Sequence, residues 1–436
     1  MYREFKSPLT VQLEITSKCN HKCTHCYNYW RSNNSIETTL TEINLIKIME
    51  NLRDSEIMQM VITGGEPMIF PNLLIKGLEL AKDFGIRCSI NSNLTLVTSE
   101  IVQAIKKNNS SVLTSMLSFN HDKHDFLTNS KGSYSRLIKG IEMLVDDGVS
   151  VGVNMVVMKQ NLHDVYKTGS FANSLGVRNF TSTKVCPSLG DSIFEKLKLD
   201  KDDNLILFDQ LLRLKNELGL DVDTLTAYPS CLSQDWRKYG KFLLGRSCSA
   251  GKTFCAIGSG GKLRACVQHN EEYGDTITEP IISIWKKLGK WRDGSLLPDK
   301  CKKCQYLYIC GAGCRATCQF FGDIKSLDPD ASDSCDFKPT TDEKNKIELV
   351  DKNLRLKVNP IIRFREEKFG TVLNTSKSRI TVVTNDSAYL LKKLLDRDIF
   401  TLDEIFHEYS LNVESAHKFM SALYDKNVLV KEDLLK

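Results

Sequence analysis

Three cysteines near the start of the chain have a spacing that suits metal chemistry. Cys19, Cys23 and Cys26 are separated by three and then two residues, and they follow an alternating apolar run, Val11–Thr16, that predicts a β-strand. A [4Fe–4S] cluster takes four thiolates, so this loop leaves one iron open to another ligand. Two other interpretations stay open: a zinc site completed by one of the loop's histidines, or small buried side chains without chemistry.

This loop resembles that of the radical S-adenosylmethionine (SAM) enzymes. In that family the open iron chelates the amino and carboxylate groups of SAM. The reduced cluster cleaves SAM to a 5′-deoxyadenosyl radical, which the protein positions and shields. The family usually has an aromatic residue just before the last cysteine, near the adenine. His25 stands there in this chain, and either His25 or Tyr27 is expected to take that role.

The second predicted strand, Ile57–Thr63, ends in Gly64-Gly65-Glu66-Pro67. Any turn between a strand and a helix favours glycine, so these residues alone are a weak signal. They follow the three-cysteine loop, however, where the family carries its Gly-Gly-Glu-Pro motif. Glycines let a backbone come close to a ligand, and a buried Glu66 would accept a charge-assisted hydrogen bond from the SAM ammonium.

Weaker matches to the family follow along the chain, and each is equally typical of a helix N-cap, a turn or a surface residue. By resemblance, further SAM contacts are expected from Asn93, Ser118, Arg136 and Asn154. Asn93 lies in Ser92–Leu96, where many members read Thr-Asn-Gly-Thr-Leu. The family's glycine is Leu94 here, which puts the neighbours of Asn93 in doubt.

A second block of cysteines lies between residues 248 and 335. Its spacing is Cys248-x12-Gly261-x4-Cys266, then Cys301-x2-Cys304-x5-Cys310-x3-Cys314, then Cys335. This spacing resembles the SPASM extension of radical SAM enzymes that modify peptides. A structural domain with two four-cysteine zinc sites is the alternative.

The SPASM resemblance implies two auxiliary [4Fe–4S] clusters, and so three clusters in all. One set of ligands would be Cys248, Cys255, Cys266 and Cys314, and the other Cys301, Cys304, Cys310 and Cys335. Because Cys255 is available as a fourth ligand, we expect fully ligated clusters that relay electrons rather than bind substrate. Cys318 follows Cys314 by four residues and could replace a ligand, whereas Cys88 lies in a strand pattern and is expected to pack.

The elements that must position these residues alternate between strand and helix from residue 8 to about 225. Gly85, Gly148 and Gly176 each follow a helical stretch, as helix C-caps do. Repeated βα units imply a parallel sheet with ligands at the C-terminal ends of its strands. The fold class is therefore α/β, and six units match the partial (β/α)6 TIM-like barrel of the radical SAM family. A doubly wound nucleotide-binding domain is the alternative.

We expect three domains: the barrel over residues 1–227, the SPASM domain over 228–340 and a small winged-helix-like α+β domain over 345–436. The last shows three strand-like runs and then three helical patterns, with Thr401 and Glu404 as a capping box. It resembles the PqqD-like element that binds leader peptides of ribosomally made, modified peptides by adding a strand to a sheet edge. A DNA-binding winged helix is the alternative, but a basic recognition stripe is missing.

Composition limits the partners. The 436 residues carry a formal net charge of +5, which permits an acidic peptide partner without demanding nucleic acid. The N-terminus lacks an apolar signal core, and no run approaches the roughly 20 apolar residues of a membrane span. We therefore expect a cytoplasmic protein without a membrane partner, in which fifteen cysteines indicate metal rather than disulfides.

These features predict a maturase that abstracts hydrogen from a precursor peptide and closes a thioether, carbon–carbon or ether cross-link. SAM and an electron donor such as flavodoxin or ferredoxin would serve it, and the general base is not identifiable. One alternative is an anaerobic sulfatase-maturing enzyme, although Val267 stands where that family has its aspartate base. Another is a non-catalytic iron–sulfur scaffold that presents a peptide.

Overall fold

A computed structural model describes residues 3–28, 37–186, 193–332, 338–340, 348–375 and 380–432. The chain forms two compact units, Met1–Thr341 and Asp342–Lys436. Within the described ranges, no helix combines the length and the apolar character that crossing a membrane requires.

The first unit is built on one large sheet with the strand order β10-β9-β8-β1-β2-β3-β4-β5-β6-β7. Its strands are β1 (Thr10–Thr16), β2 (Gln59–Gly64), β3 (Arg87–Ser92), β4 (Ser111–Ser115), β5 (Val151–Val157), β6 (Asn179–Lys184), β7 (Asp221–Thr224), β8 (Phe254–Ile257), β9 (Lys262–Arg264) and β10 (Glu272–Asp275). Neighbours from β8 through β7 pair in parallel, and β9 and β10 are antiparallel additions. The predicted α/β class is confirmed, and two parallel strands, β7 and β8, extend the six expected units.

Helices connect the parallel strands, and further short helices follow β10. They are α1 (Glu42–Asp54), α2 (Pro71–Asp83), α3 (Ser99–Lys107), α4 (His121–Thr128), α5 (Ser133–Asp146), α6 (Val165–Ser174), α7 (Phe194–Leu197), α8 (Lys201–Leu218), α9 (Trp236–Leu243), α10 (Ile281–Lys286), α11 (Asp299–Lys302), α12 (Leu307–Cys310) and α13 (Arg315–Phe320). The predicted C-cap glycines 85, 148 and 176 all have positive φ, which a glycine adopts without steric cost.

The two faces of the sheet differ in chemistry. In the parallel ladder Leu13 pairs with Ile62 and Ile62 with Ile90, and all three are fully buried in the apolar core. Side chains alternate between faces along a strand, so the intervening residues form the opposite face. We call this the polar face; it includes Gln12, Glu14, Ser115, Asn154, Thr181 and Asp223.

The second cysteine block continues the same unit. Strand β8 pairs in parallel with β1, placing Leu13 opposite Ile257. The indole of Trp285 donates to the carbonyl of Phe5 at 2.9 Å, and the amide of Asn51 donates to the carbonyl of Thr276 at 3.0 Å. Residues 228–340, expected as a separate domain, therefore share a sheet and a core with the barrel strands.

Over its described residues, the second unit has two small sheets and three helices. Its elements are β11 (Leu356–Val358), β12 (Arg363–Glu367), β13 (Gly370–Asn374), β14 (Thr381–Val383), α14 (Asn385–Leu395), α15 (Leu402–Glu408), α16 (Val413–Asp425) and β15 (Leu429–Lys431). Strands β12, β13 and β14 form an antiparallel sheet, and β11 pairs with β15. The predicted order of strands and then helices is present, as is the capping box of Thr401 and Glu404.

Candidate active site

The first cysteine loop leaves the C-terminal end of β1. Cys19, Cys23 and Cys26 are all half-buried. The backbone N–H of Lys22 donates to the carbonyl of Thr128 at 3.3 Å, and that of Thr24 donates to Leu127 at 3.2 Å. Backbone hydrogen bonds to the end of α4 thus fix the loop independently of any bound group.

Two glycines hold the other side of the loop. The N–H of Gly65 donates to the carbonyl of Thr16 at 2.7 Å. A Cβ at Gly64 would lie 2.2 Å from the Thr16 carbonyl oxygen, and one at Gly65 would lie 2.0 Å from that of Lys18. The two glycines therefore let the backbone pack against the segment that enters the cysteine loop. The sequence had suggested instead that they let the backbone approach the ligand itself.

Glu66 connects this motif to the next strand. One carboxylate oxygen accepts from the N–H of Met68 at 3.0 Å and from the hydroxyl of Ser92 at 2.7 Å, while the other accepts from the N–H of Asn93 at 2.7 Å. Burial raises the pKa of Glu66, and these hydrogen bonds oppose the rise. Pro67 begins the short 3₁₀ turn that Glu66 caps. A carboxylate offers about four acceptor positions, so one stays available to a ligand.

Asn93 extends the frame back to the cysteine loop. Its amide donates to the side-chain oxygen of Asn20 at 2.8 Å, and the amide of Asn20 donates to the hydroxyl of Thr95 at 2.8 Å. Leu94, at the family's glycine position, is buried with φ 57°, a conformation that costs a non-glycine residue roughly 1–2 kcal/mol. Its carbonyl packs on Gly140, where a Cβ would approach to 2.5 Å.

The remaining residues predicted to contact SAM lie at different positions in the first unit. Ser118 is fully buried and donates to the carboxylate of Asp164 at 3.1 Å, so its single donor is already used. Arg136 is exposed and donates to the carbonyl of Lys131. Asn154 lies on the polar face and accepts from the hydroxyl of Thr183 at 2.8 Å. His25 is half-buried beside Cys26.

A buried polar group that sequence reasoning missed lies on the polar face beside the loop. Arg264 donates to Glu14 at 2.5 Å and to the carbonyl of Val267 at 3.2 Å. Burial raises the pKa of Glu14 to about 7, and the charge of Arg264 opposes this. The Tyr27 side chain is hydrogen-bonded to Gln12, and burial with the charges of Glu14, Cys26 and Cys266 nearby raises its pKa above the usual range. The polar alternation of β1 was the available signal.

Three cysteines of the second block lie near each other. Burial and then the charges of Cys248 and Cys314 raise the pKa of Cys266 to about 12. The N–H of Cys314 donates to the carboxylate of Asp328 at 2.8 Å. The charge of Cys266 also acts on Tyr27, whose side chain is hydrogen-bonded to Gln12 on the polar face. Cys266 therefore lies on the side of the polar face.

Cys255, predicted to complete this set, lies elsewhere. It sits in β8 opposite Val11, fully buried in the apolar core. Val11 and Gln12 point to opposite faces of the sheet, so Cys255 points away from the polar face. Burial alone raises its pKa. The structure therefore separates Cys255 from the cysteines with which the spacing grouped it.

Cys231 lies beside the other predicted set. Cys301, Cys304 and Cys310 lie close together, and Cys231 joins them, since its charge and theirs act on one another. The N–H of Ser230 donates to the Cys310 sulfur at 3.2 Å, which places the 3₁₀ turn Ser230–Leu232 against this group. Cys335 lies outside the described residues.

Cys88 and Cys318 are also buried. Cys88 lies in the core of the first unit, as expected. Cys318 is fully buried one helical turn after Cys314, and burial raises its pKa to about 12. Sequence reasoning gave Cys186 and Cys231 no role, because neither falls into the SPASM spacing.

The cysteine sets suit iron–sulfur cubes better than single metal ions. Within the described ranges, no three His, Cys, Asp or Glu side chains lie close enough to hold one metal ion together. A cube bonds each thiolate through a different iron, so its ligands stay further apart. The N–H of His21 also donates to the Cys19 sulfur at 3.4 Å, and hydrogen bonds to cluster sulfurs tune such sites.

Comparison with known proteins is consistent with this geometry. Residues 13–172 match the radical SAM superfamily. An AdoMet-dependent heme synthase of Methanosarcina barkeri is 27% identical over 71% of this chain and 92% of its own. The subtilosin biosynthesis protein AlbA of Bacillus subtilis is 29% identical over 41% of this chain and 40% of its own.

Among solved structures, Streptococcus suis SuiB bound to its precursor peptide SuiA has a TM-score of 0.60 at 17% identity, over 74% of this chain and 75% of that one. SuiB has also been solved with S-adenosylmethionine. At this identity the likeness concerns the fold. It agrees with the match of residues 13–172 to the radical SAM superfamily and with the three-cysteine loop that follows β1 in that part of the chain.

Proposed function

We propose that this enzyme matures a ribosomally made peptide by abstracting a hydrogen atom and closing an intramolecular cross-link. The main support is that the two cysteine regions share one sheet. The three-cysteine loop follows β1, and the second cysteine block includes β8, which pairs directly with β1. A site for radical generation and a site for electron removal would then flank one polar face. AlbA and SuiB, both named for peptide products or precursors, support a peptide substrate.

The first loop would hold a [4Fe–4S] cluster and SAM, which together supply a carbon-centred radical when reduced. The chain's own residues position this chemistry. Glu66 and Asn93 keep the cysteine loop aligned on the sheet through the contacts above. The second block, with auxiliary clusters, would take the electron released on cross-linking, and a flavodoxin- or ferredoxin-like donor would start the cycle.

The second unit would hold the leader of the precursor. Strands β12 and β14 each pair with β13, so among the described strands they are the edges of this sheet. An extended peptide adds to such an edge through main-chain hydrogen bonds. Tethering would raise the effective concentration of the core peptide to about mM. A DNA-binding role is the competing interpretation of this unit.

The test of the activity is anaerobic production of 5′-deoxyadenosine with the reconstituted protein and dithionite. Cys23→Ala should abolish it, since two cysteines cannot hold the cluster, whereas Cys88→Ala, at a buried core position, should keep it. Addition of the precursor peptide should give a product lighter by two hydrogens. Unchanged 5′-deoxyadenosine from Cys23→Ala would refute the site, and an unmodified peptide would refute the substrate.

The role of the second unit is tested by deleting residues 345–436. Its buried core lies entirely within that unit, so the deletion should weaken precursor binding while leaving uncoupled SAM cleavage nearly intact. Equal precursor affinity in the truncated protein would remove this unit from the proposal. Tight binding of duplex DNA by the full chain would favour the competing role.

A second candidate function is radical chemistry on a tetrapyrrole. The heme synthase similarity supports it, because that alignment covers 92% of the relative. Incubation with an iron-porphyrin and SAM, followed by product analysis, separates the two functions. A changed porphyrin together with an unchanged peptide would favour the tetrapyrrole.

A further inference from the structure

The first auxiliary cysteine set contains three members after Cys255 is assigned to the apolar core. Cys248, Cys266 and Cys314 leave one iron of a cube without a protein thiolate. An open iron binds substrate, whereas a fourth protein ligand closes the cluster and restricts it to electron transfer. The presence or absence of a fourth cysteine near this open iron therefore decides whether the cluster binds substrate or only transfers electrons.

The structure assigns this fourth position to Cys186, and we propose that Cys186, not Cys255, completes the first auxiliary cluster. This inference rests on the proposed function of the second cysteine block. Cys186 lies two residues beyond the end of β6, and its side chain is only 6% exposed. It is absent from the SPASM spacing, so only the fold brings it into consideration.

Contacts join Cys186 to two of the three partners. The side chain of Cys186 is hydrogen-bonded to that of Gln268, and the backbone of Gln268 bonds the sulfur of Cys266. One residue thus contacts both sulfurs. Strands β6 and β9 lie near opposite ends of the sheet order, so this contact also shows that the sheet curves far enough to bring the segments after these two strands together.

A second connection runs from β6 to Cys314. The ammonium of Lys184 pairs with the buried carboxylate of Asp330. The N–H of Asp330 donates to Asp328 at 3.0 Å, and Asp328 accepts the N–H of Cys314 at 2.8 Å on its other oxygen. The thiol of Cys186 lies against the same end of β6, where it donates to the carbonyl of Lys184 at 3.3 Å.

The functional consequence concerns the substrate. With Cys186 as ligand, every iron of this cluster has a protein thiolate, and a cysteine of the substrate peptide has no iron to bind. The cluster then accepts the electron that cross-linking releases. Its ligand from β6 keeps it at the C-terminal edge of the barrel strands, where parallel α/β sheets place their ligands.

The test uses a background variant, Cys19→Ala/Cys23→Ala/Cys26→Ala, which lacks the first cluster. It should bind about eight irons in two cubes. Adding Cys186→Ala should lower the iron content toward about seven or four and produce the EPR signal of an oxidised three-iron cluster. Cys255→Ala is the matched control, since it is equally buried, and it should keep the iron content and the EPR spectrum of the background.

Added 2-mercaptoethanol provides the second measurement. It should change the EPR spectrum of the reduced clusters only when Cys186 is replaced, because only then is an iron open. A spectrum of the background that responds to the thiol would overturn the proposal, as would full iron and an unchanged spectrum in Cys186→Ala. If Cys186→Ala does not fold, the thiol response of the background decides alone. A background without iron would refute the auxiliary clusters themselves, which is a different failure.

Discussion

The two cysteine regions are assembled in different ways. The first is one loop of eight residues, held by backbone hydrogen bonds to Leu127 and Thr128 and by two glycines. The second draws its cysteines from the ends of several elements, and side-chain contacts such as Lys184 with Asp330 hold these together. The first site therefore depends on local backbone geometry, and the second depends on the curvature of the whole sheet.

The largest expected effect comes from Gly65→Ala. The new Cβ would lie 2.0 Å from the carbonyl oxygen of Lys18, so the cysteine loop must move. A displacement of about 1 Å costs on the order of 10²-fold in rate, and we expect at least that loss of 5′-deoxyadenosine production, together with loss of the first cluster's iron.

Gly260→Ala is the matched control for this substitution. Gly260 is exposed, and a Cβ there meets no atom within 4 Å, so SAM cleavage should stay within twofold of the wild type. Wild-type cleavage in Gly65→Ala would show that the loop adapts, and the contrast between the two regions would weaken.

The next effect tests the dependence of the second region on the barrel. Lys184→Met leaves Asp330 buried without its partner, and breaking a buried ion pair costs about 3–5 kcal/mol. Asp328 and Asp330 together raise the pKa of Lys184 well above its ordinary value, although burial lowers it. We expect a lower thermal midpoint and loss of second-block iron, with the first cluster retained.

Iron analysis of the full chain and of the Cys19→Ala/Cys23→Ala/Cys26→Ala background, each with and without Lys184→Met, measures the iron of the two regions separately. The control is Lys418→Met, because Lys418 and its partner Glu414 are both exposed; exposed pairs contribute about 0–1 kcal/mol. Equal iron loss from both regions in Lys184→Met would mean that they form one cooperative structure rather than two.

The sequence predicts the position of a site best where the residues of that site are contiguous. The spacing of Cys19, Cys23 and Cys26 and the Gly-Gly-Glu-Pro residues could be read directly because neighbours in sequence remain neighbours in space. Cys255 shows the limit: its spacing from Cys248 fits a ligand, but the alternation of β8 turns it into the core. Cys186 and Cys231 could not be found, since their approach to the other cysteines depends on how far the sheet curves.

A smaller effect is expected from Glu66→Gln. The carboxylate accepts three hydrogen bonds, from Met68, Ser92 and Asn93. A glutamine amide has a single acceptor atom and would face at least one donor with its NH₂ group. An unsatisfied buried group costs about 1–3 kcal/mol, so urea unfolding should show that loss. Glu217→Gln, at an exposed pair with Arg213, should change the free energy of unfolding by less than about 1 kcal/mol.

The last effect concerns Glu14, whose raised pKa makes the stability of the first unit depend on pH. The folded pKa is about 7 and the ordinary value 4.5. Between these values the folded chain keeps a proton that the unfolded chain has lost, so the free energy of unfolding falls as pH rises and levels off above the folded pKa.

This slope reaches at most about 1.4 kcal/mol per pH unit for one group. In metal-free, reduced protein, Glu14→Gln should lose this part of the slope, because glutamine does not titrate, while Glu217→Gln should retain it. An identical slope in Glu14→Gln and wild type would mean that Arg264 keeps Glu14 ionised throughout. The polar face would then carry a permanent ion pair beside the cysteine loop, and its electrostatics would not respond to pH.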